Sequence, residues 1–172
     1  MEARTIIETS RLLLREIIAI DAPIMFEMNN DPEVMRYTGD IPFESLQHTT
    51  AFIEEYPNYK TDGYGRWAVV LKETYEVIGW CGLKNHPGEY VDLGYRLVQK
   101  HWNKGYATEA SLASIAYGFE VLKLDEIVGR TAAANQASIR VFEKVGMQFW
   151  KKAECEGIVD SVFYKPEFDY SL

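Results

Sequence analysis

Residues 91–110 read Val-Asp-Leu-Gly-Tyr-Arg-Leu-Val-Gln-Lys-His-Trp-Asn-Lys-Gly-Tyr-Ala-Thr-Glu-Ala, and the change of period inside this stretch decides the fold. Val91, Leu93, Tyr95 and Leu97 alternate with Asp92, Gly94 and Arg96, the period of a strand with one face in a core and the other available for chemistry. Beyond it, Leu112, Ile115, Phe119 and Leu122 recur at helical spacing, which predicts a helix starting near Ala107 with that stripe turned inward. Ala107, Ala110 and Ala113 keep another face small enough to lie close to a neighbouring backbone. A strand ending at Val98 therefore runs through a glycine turn into a helix. The first N–H groups of a helix have no internal acceptor and sit at the positive end of its dipole, so this junction is an anion site. Gly105 removes a Cβ where backbone must curl round an anion. Lys104 can add charge and Thr108 a hydroxyl. Spacing alone leaves an ordinary loop as the alternative. Neither a Gly-Lys-Ser/Thr turn nor a Gly-x-Gly-x-x-Gly run occurs, which disfavours nucleotide hydrolysis and dinucleotide redox chemistry.

Outward from this stretch the elements alternate. Trp67 to Leu71 and Val77 to Leu83 are β-rich, and turn chemistry at Glu73-Thr74 and Asn85-His86-Pro87-Gly88 joins them to the strand at 91–98 as an antiparallel meander. Arg11 to Glu16 reads as a first strand, Asp21 as the N-cap of a helix carrying Ile24, Met25 and Met28, and Asp31-Pro32-Glu33 as the start of another turn. Thr49 to Tyr56 predicts a helix closed by Pro57, and residues 62–65 a loop. Downstream, Glu126 to Thr131 is a strand and Asn135 to Val145 a helix capped by Asn135 and stopped by Gly146. Gln148 onward supplies one or two last strands. The order predicts a mixed α/β or α+β domain spanning residues 1–172, without repeats or linkers.

Composition narrows the class. A chain of 172 residues, 47% hydrophobic and 26% charged, can bury one sizeable core. Neither a membrane-crossing run nor a secretory signal pattern is present, which predicts a cytoplasmic protein without a membrane partner. The net charge of −8 argues against nucleic acid and suits a cationic partner, although such a balance also simply keeps a domain soluble. Cys81 and Cys155 read as buried thiols rather than a bridge. His48, His86 and His101 lack ligand spacing and read as surface residues, so no metal site is indicated.

Residues 91–97, with 101–110, resemble the acetyl-CoA-binding motif of the GNAT superfamily of N-acetyltransferases. The likeness is closest to the branch that acetylates the N-terminal amines of ribosomal proteins. Asn135-Gln136-Ala137-Ser138 and the run from Val141 to Met147 resemble that superfamily's later helix, and Thr9 to Arg15 is similar to the branch's first strand. The resemblance implies a GNAT fold, in which a single central, mostly antiparallel twisted sheet is flanked by helices and a pair of strands splays apart at the acetyl-CoA site. It implies that the backbone near Leu97 and Val98 lies along the pantetheine and polarises the thioester carbonyl. It also implies that Asn103, Lys104, Gly105, Tyr106, Ala107 and Thr108 hold the pyrophosphate and that Asn135 bonds the pantetheine or its neighbouring backbone. The reaction would be direct transfer of acetyl to a primary amine, a protein N-terminus or a small molecule, by a monomer or homodimer.

Two departures from that pattern are informative. Trp102 and Asn103 stand where many members have Arg or Gln, then Gly, so backbone donors must hold more of the phosphate. Phe142 stands where many have the Tyr that protonates the leaving thiolate, which makes Ser138 the candidate acid. Ser138 also suits a plain first-turn hydrogen bond. Asp92 is the first candidate for general base and otherwise reads as a solvated edge residue. Glu154 is the second, by its likeness to a glutamate of the ribosomal branch, and a water chain could replace either. The alternative function is a non-catalytic acyl-CoA-binding module, which the loss of a hydroxyl at Phe142 favours. Tyr37, Tyr56 and Tyr59 fall in early segments expected to cover the acceptor side.

Overall fold

The strand at the centre of the decisive stretch is the fifth of eight in one sheet. In the computed structural model, which describes residues 3–167, the strands are β1 (Thr5–Glu8), β2 (Leu12–Glu16), β3 (Arg66–Leu71), β4 (Val77–His86), β5 (Tyr90–Leu97), β6 (Val128–Ala132), β7 (Met147–Cys155) and β8 (Ile158–Pro166). They lie in the order β1-β2-β3-β4-β5-β6-β8-β7. Every neighbouring pair is antiparallel except β5 and β6, which run parallel. A parallel pair needs a crossover, and helix α5 (Tyr106–Glu120) supplies it. The other helices are α1 (Ala22–Met28), α2 (Pro32–Met35), α3 (Leu46–Glu54), α4 (Asn58–Thr61) and α6 (Gln136–Lys144).

Alternation along the strands divides the interior into two cores. Trp67, Val69, Leu83, Leu93 and Leu97 face α5 and α6 and meet Ala110, Ile115, Phe119 and Phe142. Ala68, Val70 and Val98 face the other way, against Ala22, Met25 and Met28 of α1 and Ile53 of α3. The mixed architecture, the meander and the Asn135 cap agree with the sequence reading, and Gly146 ends α6 at a φ of 85°.

Several details differ. The stripe that α5 turns inward is Ala110, Ser111, Ser114, Ile115, Gly118 and Phe119, while Leu112 is 53% exposed. The small residues face the sheet because the helix lies so close that a Cβ on Gly118 would stand 2.5 Å from Ile127 and 2.9 Å from Leu83. Strand β1 and helix α4 carry too short a pattern to be legible, and α3 starts at Leu46 because Ser45 accepts from the His48 N–H. Asp21 precedes α1 but makes no side-chain cap bond. Its carboxylate is buried, bridging both guanidinium nitrogens of Arg15 at 2.7 and 2.8 Å and the Ile18 N–H at 2.9 Å.

Candidate active site

β5 and β6 pair at only two positions, Asp92 with Val128 and Leu93 with Gly129. Beyond them β5 continues to Leu97 and β6 to Ala132 with no ladder between, so the strands splay. The Val98 N–H donates to the Ile78 carbonyl at 2.9 Å. In an antiparallel pair the bonding direction alternates, so the amide groups of Tyr95 and Leu97 point away from β4, into the gap. Of the two residues expected to touch the thioester, Leu97 thus offers its N–H while that of Val98 is already spent on β4. A cleft of about 1180 Å³ opens here, lined by Tyr95, Leu97, Asn103, Gly105, Thr108, Ser138 and Phe142 among others.

One end of the gap is the turn into α5. Gly105 is the N-cap at a φ of 81°, in the left-handed region that favours glycine, and Asn103 shares that region at 60°. A Cβ on Gly105 would meet a single neighbour within 4 Å, the Arg11 guanidinium at 3.3 Å. The cradle is therefore kept open by the missing side chain, with the orphan N–H groups of the first helical turn above it, and a pyrophosphate fits it. Trp102, where a phosphate-binding side chain was expected to be lost, instead donates from Nε1 to the Leu97 carbonyl at 2.8 Å and pins the turn to the end of β5.

Arg11 is a residue that sequence reading placed only in a strand. Its Nη1 donates to the Lys104 carbonyl at 2.9 Å, its Nε reaches Glu109 at 2.6 Å, and its guanidinium lies 4.6 Å from the centre of the Tyr106 ring. Glu109 also accepts from the Thr9 hydroxyl at 2.7 Å and the Arg11 N–H at 3.0 Å. Burial would raise the Glu109 carboxyl, but these donors outweigh it and lower it. The resemblance of residues 9–15 to a family's first strand was the available signal. Its physical content is a clamp that ties the turn and the first turn of α5 to the start of β2.

The other end is built from α6. Asn135 caps the helix by accepting from the Ser138 N–H at 3.2 Å, and its Nδ2 donates to Ser138 Oγ and to Thr131 Oγ1 at 3.0 and 3.1 Å. Tyr95 donates its hydroxyl to the same Ser138 Oγ at 3.0 Å. Two donors thus fill the acceptor capacity of that oxygen and leave its own proton free for the cleft. Burial pushes the Tyr95 phenol up to about 12, against the opposing pull of its bond to Ser138. Phe142 is buried, packed where a Cβ on Gly129 would stand 2.9 Å from its ring.

Asp92 is no solvated edge residue. It is 3% exposed, on a strand paired on both sides. Its carboxylate takes Arg66 at 2.8 Å and Arg130 at 3.2 Å, with His86 Nε2 3.3 Å away. Burial alone would raise the Asp92 carboxyl, but the surrounding Arg66, His86 and Arg130 hold it well below the usual carboxylate range. Glu154 is exposed on β7 and is not among the residues lining the cleft, whereas its neighbour Glu156 is. The histidine expectation holds for exposed His48 only. His86 is largely covered beside Asp92, and His101 is buried with Nε2 3.3 Å from Glu76. Cys81 and Cys155 are both free, the first buried and the second partly so. Tyr37 lines the cleft. Tyr56 lines it as well and also fastens β3, accepting from the Arg66 N–H at 3.0 Å, whereas Tyr59 is outside that lining and donates to the Arg66 carbonyl.

Known proteins share this fold. The model of the acetyltransferase (GNAT) domain matches residues 11–148. The uncharacterized N-acetyltransferase p20 of Bacillus licheniformis is 33% identical over 143 residues, covering 81% of this chain and 80% of its own. A GNAT-family acetyltransferase from Bacillus anthracis superposes with a TM-score of 0.80 at 29% identity, over 96% of this chain and 99% of that one. The Vibrio cholerae spermidine N-acetyltransferase, solved in complex with CoA and spermine, shares the fold at a TM-score of 0.75 and 22% identity, over 91% and 95% of the two chains. With the family model spanning most of its length and a relative 33% identical over four fifths of it, the chain belongs to the GNAT family of acetyl-CoA-dependent acyltransferases.

Proposed function

We propose that the protein transfers acetyl directly from acetyl-CoA to a primary amine, and that both substrates meet in the gap between β5 and β6. The observation that carries this reading is the two-pair ladder, which exposes backbone donors at Leu97 between an anion cradle at Gly105 and a proton donor at Ser138. Acetyl-CoA supplies an activated thioester. The turn from Asn103 to Thr108 anchors its pyrophosphate, and Arg11 adds a positive charge beside that turn. The Leu97 N–H donates to the acyl oxygen as negative charge develops there, a use of fixed dipoles that is worth most where water is excluded.

Transfer joins the amine nitrogen to the acyl carbon and breaks the carbon–sulfur bond, and the departing sulfur needs a proton. Ser138 gives it, with Tyr95 and Asn135 holding the oxygen in place, and regains a proton, through water, from the attacking nitrogen, which loses one as it becomes a neutral amide. The amine must arrive unprotonated. Asp92 has both carboxylate oxygens committed to cations and Glu154 lies outside the cleft, so water carries that proton to solvent. Asp92 then serves by holding Arg66 and Arg130.

Two acceptor classes stand, peptide N-termini, which the ribosomal-branch likeness favours, and small amines, which a Vibrio cholerae spermidine N(1)-acetyltransferase 25% identical over 139 residues favours. The test is thiol release from acetyl-CoA with a panel of both classes, followed by mass spectrometry of the products. Tight CoA binding with no thiol release from any amine would overturn the enzymatic reading.

A further inference from the structure

The cleft has the opposite charge to the molecule. The chain carries a net −8, yet on the sheet face opposite α5 three arginine side chains converge on one small area. The guanidinium groups of Arg66 and Arg96 each lie 5.3 Å from the centre of the Trp80 ring, and Arg130 reaches Asp92 next to Arg66. Their side chains are only 14%, 11% and 14% exposed. Gly94 makes this possible, since a Cβ there would stand 2.7 Å from the Arg66 guanidinium. Arginine cannot shed its charge, and a buried charge demands a partner.

Asp92 is the one counter-charge buried as deeply. The remaining partners are loop carboxylates in solvent. Asp40, between α2 and α3, pairs with Arg96 at 2.5 Å and is 53% exposed, and Glu156, in the turn between β7 and β8, pairs with Arg130 at 3.0 Å and is 52% exposed. The two loops meet at the rim of the cleft, where a Cβ on Gly39 would be 3.2 Å from Ile158 and 3.5 Å from the Glu156 carbonyl. Exposed ion pairs of this kind are weak and exchangeable. Three fixed cations facing one fixed anion thus leave an excess that a ligand's anion completes and a polycation opposes. The CoA phosphates do not account for it. Their cradle is at the start of α5, whereas Arg96 is fastened to Asn29 and Met35, on the face that α1 and α2 cover.

We propose, resting on the amine-acetylation reading above, that the acceptor is an amine bearing a carboxylate, and that Arg96 beside Trp80 and Arg66 binds that carboxylate where Asp40 now sits. A free amino acid and an acidic peptide share this chemistry.

The test measures kcat/KM of the full-length protein with acetyl-CoA for matched acceptors: ornithine, its carboxamide and putrescine; arginine, its carboxamide and agmatine; spermidine; and short peptides with acidic or neutral second residues. The carboxamide has a less basic α-amine and the decarboxylated compound a more basic one, so the two bracket intrinsic reactivity. The expected result is at least a tenfold preference for the carboxylate over both counterparts. Amino acids leading identifies the free form, and acidic peptides leading the peptide form. Arg96→Gln should raise KM for the carboxylated acceptors alone, and Asp40→Asn, an exposed change, should lower it severalfold. Equal or better turnover of putrescine, agmatine or spermidine overturns the inference and leaves the amine-acetylation reading intact. Absence of thiol release with every amine in the panel overturns both. The wild-type comparison decides the matter even where Arg96→Gln fails to fold.

Discussion

The Tyr95 hydroxyl on β5 and Ser138 Oγ at the start of α6 are hydrogen-bonded at 3.0 Å, and they join the two strands' domains of influence across the gap where β5 and β6 have parted. Removing the proton at the far end of that bond isolates its role. Ser138→Ala should lower kcat on the order of 100-fold, the usual worth of a positioned proton donor, while the rise in melting temperature with CoA stays as in the parent. Tyr95→Phe should cost less, because Asn135 still holds the serine. Since Tyr95 loses its proton only near a pKa of about 12, the pH profile of kcat should show no alkaline limb from this pair in the neutral range.

Gly105→Ala should weaken CoA binding. Its φ of 81° costs an L-residue roughly 1–2 kcal/mol, and the new methyl intrudes where the cradle must be open. Calorimetric titration with CoA should show a lower affinity. Full-strength binding by the alanine variant would count against this turn as the anion site.

Asp92→Asn should destabilise the protein by about 3–5 kcal/mol, the cost of leaving buried cations without their partner. The sign of the pH effect follows from the depressed carboxyl. Stability that Asp92 contributes is present above the ordinary carboxylate range, near pH 4, and is lost as pH falls towards its lower folded value. Urea midpoints of parent and variant should therefore differ most at neutral pH and converge in acid.

Gly94→Ala tests the arginine cluster without touching a charge. A Cβ would stand 2.7–2.9 Å from three atoms of the Arg66 guanidinium, itself pinned by Asp92 and the Gly82 carbonyl. Crowding of this kind costs about 1–3 kcal/mol, and acceptor KM should rise while CoA affinity is unchanged. Parallel initial-rate measurements in each substrate decide it.

Much of this was legible in residues 91–110 because two clean periods abut there and a glycine marks the junction. The Asn135 cap was legible for the same reason, a local bond between residues three apart. What escaped was long-range. Arg11 and Glu109 are 98 positions apart, and a strand sequence holds no sign of which helix its arginine will reach. Asp92 looked exposed because alternation reveals which residues share a face but not what covers that face. Arg66 and Arg130 arrive from β3 and β6, on separate stretches of chain. Of the α5 stripe only Leu112 was misplaced, because the close approach of the helix to the sheet at Gly118 brings small residues beside Ile115 and Phe119 into the core.

The two-pair ladder between β5 and β6 has a further consequence, for the way the protein opens. Backbone bonds hold β1 through β5 as one block and β6, β8 and β7 as another, and the seam between them is two residue pairs long. Amide protons within each block should therefore exchange as separate cooperative families, the free enzyme loosening along the seam before either block unravels. A ligand lodged in the seam touches both sides, so binding should slow both families together and turn a structure of two hinged leaves into a single closed book.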